Sequence, residues 1–331
     1  MIWDTGCWGR RYDRTAARRA MSRWVRAGRR AWNRLRTSAC CGPARPGSLL
    51  AVEIGLHIFP TDRTLQPIPL AAAVEERGFE SLWFPEHSHI PSARTSPWGG
   101  RAIAPPLPEH YWRTHDQFVA LAAAAAVTKS LKLGTGITLV AQRDPIWLAK
   151  EVASLDVISA GRVLFGVGYG WNQEEMAHHG VAYTERRVML REKVLAIQRL
   201  WTEDEASYAG EYVAFGPSWS WPKPRQKPHP PIIMGGAPGP KTFADIVEFC
   251  DGWMPFHGRY DIKEGLDELQ SAAEAAGRDP STIELSIFGA PSKREVLEEL
   301  ETMGAARVLF ALPQGEPEEV MDRLDELMEF L

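Results

Sequence analysis

From residue 51 onward, short apolar runs alternate with amphipathic stretches. That alternation restricts the chain to folds whose strands are parallel and joined by helices. The apolar runs predict strands at 52–59, 81–84, 131–138, 163–167, 232–234, 252–255, 283–288 and 307–312. Helical spacing predicts helices at 67–77, 116–128, 145–159, 184–201, 241–249, 262–276, 293–303 and 316–330. Gly78 stops the first helix and Gly161 closes the third. Eight strands, each followed by a helix, favour closure into a (β/α)8 TIM barrel over an open sheet. With 331 residues and 44% hydrophobic content, the chain can fill one such core. Residues 202–230 interrupt the period with a small inserted hairpin around Tyr208 to Tyr212 and a Pro-rich connection. The loop over 85–113 is long for a barrel and reads as a lid or binding loop.

The first 50 residues do not share this pattern and are read as a basic, disordered N-terminal extension, with the barrel domain at 51–331. Residues 1–48 hold twelve Arg against Asp4 and Asp13, near +10, which leaves near −14 on the remainder of a chain whose total is −4. Such a leader fits a targeting peptide, a segment that adheres to nucleic acid or anionic lipid, or residues from an upstream start that the fold does not use. It ends in a Gly/Pro linker, Gly42 to Gly47. The anionic body argues against nucleic acid as the barrel's partner. Only Cys250 lies outside the leader and linker, so no disulfide framework exists. No apolar run reaches the roughly 18–20 residues of a membrane span. The expectation is a soluble, cytoplasmic protein acting on a small molecule, and a homodimer is compatible with it.

In barrels of this class chemistry collects at the C-terminal ends of strands. There the sequence places Pro85-Glu86-His87-Ser88-His89, then Gly134-Thr135-Gly136-Ile137-Thr138, Gly166 to Asn172 and Gly235 to Gly239. Glycine admits a flat or phosphorylated ligand close to the backbone, and a glycine turn before a helix offers N–H donors to phosphate. The turn Gly235 to Gly239 fits that logic best. An imidazole beside Glu86 suits proton transfer coupled to hydride chemistry. As alternatives, His87 and His89 bind a metal with His257, or only hydrogen-bond within their loop. Strand eight ends Ala311-Leu312-Pro313 with no carboxylate to complete such a site, so no metal site is assigned. A glycosidase lacks its carboxylate pair at these strand ends. Trp83, Tyr169 and Trp171 are candidates to stack on a ring, with core packing the alternative for Trp83, and Trp201 reads as packing.

Several segments together resemble the luciferase-like monooxygenase superfamily, particularly its branch that uses the deazaflavin coenzyme F420. They are Gly78 to His87, Leu133 to Ile137, Ala149 to Arg162, Gly166 to Asn172 with Glu174-Glu175, Arg186-Arg187 and Gly210-Glu211-Tyr212. The resemblance implies an F420-dependent oxidoreductase that passes a hydride between cofactor and a small organic substrate, or alternatively an FMNH2-dependent monooxygenase. A barrel without redox function, its leader acting as an adaptor, is the other class considered. The resemblance further implies Glu86 and His87 facing the ring, with His87 the proton donor or acceptor. It implies a cis peptide at Gly136-Ile137 behind the ring, Tyr169 and Asn172 beside the cofactor tail, and Gly235, Gly236 and Gly239 at its phosphate. Sugar-phosphate dehydrogenases of the family carry a glutamate after the strand-four glycines where this chain has Trp171, which disfavours that substrate.

Overall fold

The computed structural model describes residues 52–98 and 105–331; the leader, and Gly99 and Gly100 of the long loop, lie outside them. Eight parallel strands close a barrel: β1 (Glu53–His57), β2 (Ser81–Phe84), β3 (Lys132–Thr135), β4 (Val163–Gly168), β7 (Ile232–Gly235), β8 (Gly252–Met254), β9 (Glu284–Phe288) and β10 (Arg307–Ala311). The remaining pair, β5 (Ala206–Ala209) and β6 (Ala214–Ser218), is the inserted antiparallel hairpin. Around the barrel run α1 (Pro67–Arg77), α3 (Gln117–Val127), α4 (Pro145–Ile158), α6 (Arg186–Thr202), α7 (Pro240–Phe249), α8 (Ile262–Ala275), α9 (Arg294–Thr302) and α10 (Pro317–Leu327). Two short helices were not expected from the sequence: α2 (His110–Arg113), within the long loop, and α5 (Gln173–His178), after β4.

Local chemistry sets the boundaries. Asp116 accepts from the Val119 amide at 2.9 Å and Asp144 from the Trp147 amide at 2.8 Å, so each side chain satisfies a free N–H at a helix start. Pro145, next to Asp144, sits at the first helical position, where no N–H is needed. Gly78 ends α1 with φ 88°, a conformation open to glycine. The third strand is shorter than expected: it ends at Thr135, the peptide between Gly136 and Ile137 is cis, and pairing resumes only as an isolated bridge from Thr138 to Val167. The hairpin forms because Glu192, on α6, accepts from the amides of Glu211, Tyr212 and Val213 at 3.0, 2.8 and 2.6 Å. A Cβ on Gly210 would lie 2.1 Å from that carboxylate.

One indole sits at the heart of a buried cluster in the barrel. Trp83 is fully buried among Leu164, Ile233, Met254, Phe288 and Leu309, and its Nε1 donates to Ser81 Oγ at 2.8 Å. Core packing is thus the correct reading of this residue. A Cβ on Gly134 would fall 2.1 Å from the Trp83 ring, so the neighbouring strand gives up a side chain to hold it. Trp201 is also packing, with Nε1 on the Ala149 carbonyl at 2.9 Å.

The N-terminal rim carries an ion-pair network. The Arg307 guanidinium donates to both oxygens of Glu80 at 2.7 Å and reaches Ser286 at 3.1 Å, while Lys132 meets Glu80 at 2.8 Å. Burial alone would raise the Glu80 pKa. The bidentate Arg307 and then Lys132 outweigh it and hold the carboxyl down to about 2.

Candidate active site

Strand β2 delivers Glu86 and His87 to the opposite rim, and their environments differ. Glu86 Oε2 accepts from the Leu139 amide at 2.6 Å and Oε1 from Arg143 Nε at 2.6 Å. Arg143 also pairs with Glu151 at 2.9 Å and Asp116 at 3.2 Å. Both Glu86 oxygens are therefore occupied by a tie to the segment after β3, and the residue also lines the cavity described below. His87 instead presents Nδ1 to Glu175 Oε2 at 2.7 Å. Glu175 is fully buried, and its other oxygen accepts from the Ser88 amide at 3.0 Å. An ionised carboxylate only accepts, so Nδ1 carries the proton and Nε2 of a neutral ring keeps a lone pair. Nε2 has no hydrogen-bond partner among the described residues, and the ring lines a cavity.

Asn172 places Glu175. Its Oδ1 caps α5 by accepting from the Glu175 amide at 3.2 Å, and it is 1% exposed, outside the cavity lining. Asn172 thereby positions the carboxylate that positions His87, while its buried Nδ2 has no hydrogen-bond partner among the described residues. Sequence reasoning quoted Glu175 without giving it a role. The spacing Asn172-x-x-Glu175 is a helix-start signal that would have found α5.

The cavity has a volume of ≈ 550 Å³ at the C-terminal ends of the strands. Gly136 and Ile137 form one wall, with Gly235, Gly236, Tyr169 and Trp171 adjoining, and His57, Met254 and Phe288 also face it. Ile137 explains two of the glycines. A Cβ on Gly168 or on Gly235 would come within 2.6 Å of the Ile137 side chain. Gly235 borders the cavity, and its missing side chain makes room for Ile137. Gly236 lines the cavity, and a Cβ there would meet Thr242 and Tyr169 only at ordinary contact distance. Gly239, with φ 143° and open space at its Cα, leads into the ten-residue α7.

Tyr169 donates to Asp245 Oδ2 at 2.5 Å; burial first and then this carboxylate push its pKa up, so the phenol stays protonated. Arg187 lies 3.8 Å over the Tyr169 ring and reaches Thr242 at 3.4 Å. Arg186 lies 3.6 Å over Tyr183, its Nε buried without a hydrogen-bond partner among the described residues. A flat ring with an anionic tail fits these residues: apolar and glycine walls for the ring, and two guanidiniums with an orphaned donor beside an open helix start for the tail. His57 lies against Phe288 with ring centroids 4.0 Å apart, its Nε2 is buried without a hydrogen-bond partner among the described residues, and burial pulls its pKa to about 3.

His89 turns away from His87. Its Nε2 meets His178 Nδ1 at 2.8 Å and its Nδ1 meets Ser88 Oγ at 2.9 Å, while Ser88 also bonds His179 at 2.7 Å. Among the described residues no group of three His, Cys, Asp or Glu converges on a metal position. His89 is a loop-bonding residue. Among the described residues no helix is long and apolar enough to cross a membrane.

A closed eight-stranded parallel barrel, with its cavity at the strand ends and a carboxylate-anchored imidazole in the wall, defines a TIM-barrel enzyme. The sequence model of luciferase-like monooxygenases matches residues 66–309, and the chain belongs to that family. It is an oxidoreductase of the F420- or flavin-dependent kind. An uncharacterized protein of Mycobacterium tuberculosis is 42% identical over 280 residues, covering 83% of this chain and 97% of the relative. An F420-dependent hydroxymycolic acid dehydrogenase of the same organism is 30% identical over 247 residues, 73% of this chain and 61% of the relative. A monooxygenase from Streptomyces bottropensis shares the fold with a TM-score of 0.68 at 22% identity, covering 85% of this chain and 98% of that one.

Proposed function

We propose that the protein is an F420-dependent oxidoreductase that moves a hydride between the deazaflavin and a small organic substrate. The observation that carries this reading is the His87–Glu175 pair at 2.7 Å, set in the wall of a cavity bordered by Gly136 and Ile137. Kinship with an F420-dependent dehydrogenase supports the choice of cofactor. When bound, the cofactor supplies the hydride chemistry, and the protein supplies position and proton control. Gly136, Ile137, Tyr169 and Gly236 would hold the ring. Gly239, the start of α7, Arg186 and Arg187 would hold the phosphate and acidic tail. His87 Nε2 takes the hydroxyl proton of an alcohol substrate, or as the imidazolium gives one to a carbonyl oxygen. Glu175 keeps the ring oriented and stabilises the imidazolium.

Fluorescence titration of the purified protein with F420 and, separately, with FMN tests the proposal. Saturable binding of F420 is expected. Binding of FMN alone would assign the reduced-FMN monooxygenase chemistry instead, and binding of neither would overturn the redox reading.

A further inference from the structure

Among the described residues, and apart from the phenols of Tyr111, Tyr169 and Tyr260, the titratable groups that line the cavity are few: Glu86, His57, His87, His110 and Arg259. Glu86 is neutralised by Arg143. His57 and His110 are held uncharged at neutral pH because burial lowers both pKa values. His87 is tied to Glu175. Arg259 is left. Its guanidinium stacks 4.3 Å over Phe256, and its side chain has no hydrogen bond or ion pair to any described residue. It lies in the segment between β8 and α8, at the cavity mouth, where Phe256 and Tyr260 remain 41% and 38% exposed.

The walls nearby are aromatic. Tyr111 contacts Phe59 at 4.7 Å, Trp98 edge-on at 5.6 Å and Trp171 edge-on at 6.3 Å between centroids. Burial raises the Tyr111 pKa and the nearby Arg259 charge opposes the rise, so the phenol is neutral and shares its space with that cation. Aromatic rings meeting edge to face offer flat surfaces to a planar guest. A single unpaired guanidinium offers a bidentate fork to a carboxylate. The one carboxylate in the lining is already spent on Arg143, so a cationic guest has no counter-charge there.

We infer that the cavity mouth is a subsite for planar aromatic carbonyl or alcohol substrates bearing one carboxylate, with Arg259 as its counter-ion and Tyr111, Trp98 and Trp171 as its walls. What happens chemically to that substrate rests on the proposed function; its binding does not.

Calorimetric titration of the full, cofactor-free chain with 2-naphthaldehyde and with 6-formyl-2-naphthoate tests this directly. The carboxylate is expected to bind about tenfold tighter or better. Arg259→Ala is expected to abolish that preference while leaving 2-naphthaldehyde unchanged, and Arg259→Lys to restore part of it. Cyclohexanecarboxylate is expected to bind at least tenfold more weakly than the naphthoate. Equal affinity of the two naphthalenes in the wild type, a preference that survives in Arg259→Ala, or cyclohexanecarboxylate binding as well as the naphthoate would each overturn the inference. A loss of F420 affinity in Arg259→Ala equal to the loss for the naphthoate would assign the residue to the cofactor and overturn it too. Failure of F420 to bind the wild type would remove the proposed function alone.

Discussion

His87 and Glu86 are neighbours in the chain with separate duties. One keeps a nitrogen free toward the cavity, and the other holds two segments of the rim together. Replacing His87 by Ala is expected to lower turnover by about 10²–10⁴-fold while F420 affinity changes little. Stopped-flow kinetics alongside fluorescence titration measures both, and unchanged turnover would remove His87 from the mechanism. His57 predicts a pH effect. Its folded pKa, about 3, lies below the ordinary histidine value of 6.5, so the unfolded chain binds a proton that the native one refuses. Its neutral burial costs nothing above pH 6.5, and native stability falls as pH drops from 6.5 toward 3. His57→Phe, which cannot be protonated, is expected to flatten that part of the stability-against-pH curve. Urea denaturation between pH 4 and 7 checks it, and parallel curves for the two proteins would contradict it.

At the scale of elements, the hairpin depends on one carboxylate. Glu192→Ala removes the acceptor of three backbone amides and is expected to cost roughly 2 kcal/mol. Hydrogen exchange should quicken at Glu211, Tyr212 and Val213 before it does elsewhere; unchanged protection there would show that the hairpin is held otherwise. The barrel's strands were legible because parallel strands buried on both faces are written as unbroken apolar runs. Its helices were legible because their core faces recur at helical spacing. The six residues of the short α5 carry too little periodicity to show it, and only its Asn172-x-x-Glu175 cap marks it in the sequence. The partner of His87 was hidden for another reason. Glu175 lies 88 residues away, and only closure of the sheet brings it near. The strand-end glycines were visible, but nothing local shows that Gly168 and Gly235 yield to Ile137. A glycine's empty side is defined by whatever packs there.

Across the whole molecule, the two rims divide the work: Glu80, Arg307 and Lys132 stabilise one, while His87 and its cavity occupy the other. Glu80 has a folded pKa of about 2 against an ordinary 4.5, so its contribution is complete above pH 4.5 and is lost as pH falls through 2. Glu80→Gln is expected to destabilise the protein by roughly 3 kcal/mol at pH 7, with the gap to wild type closing toward pH 2. Denaturant midpoints across that range measure it. A gap that stays constant would mean that the pair contributes through packing.

The indole of Trp83 holds a further consequence. Because Gly134 leaves its place to that ring, Trp83→Gly would open an indole-shaped void where no side chain could lean in from the next strand. The loss is expected to be about 3–5 kcal/mol. Free indole could then re-enter, as small aromatics enter dry engineered cavities. A barrel weakened in this way would fold on demand, its midpoint rising with dissolved indole, and its oxidoreductase activity would become switchable by a molecule unrelated to its substrate.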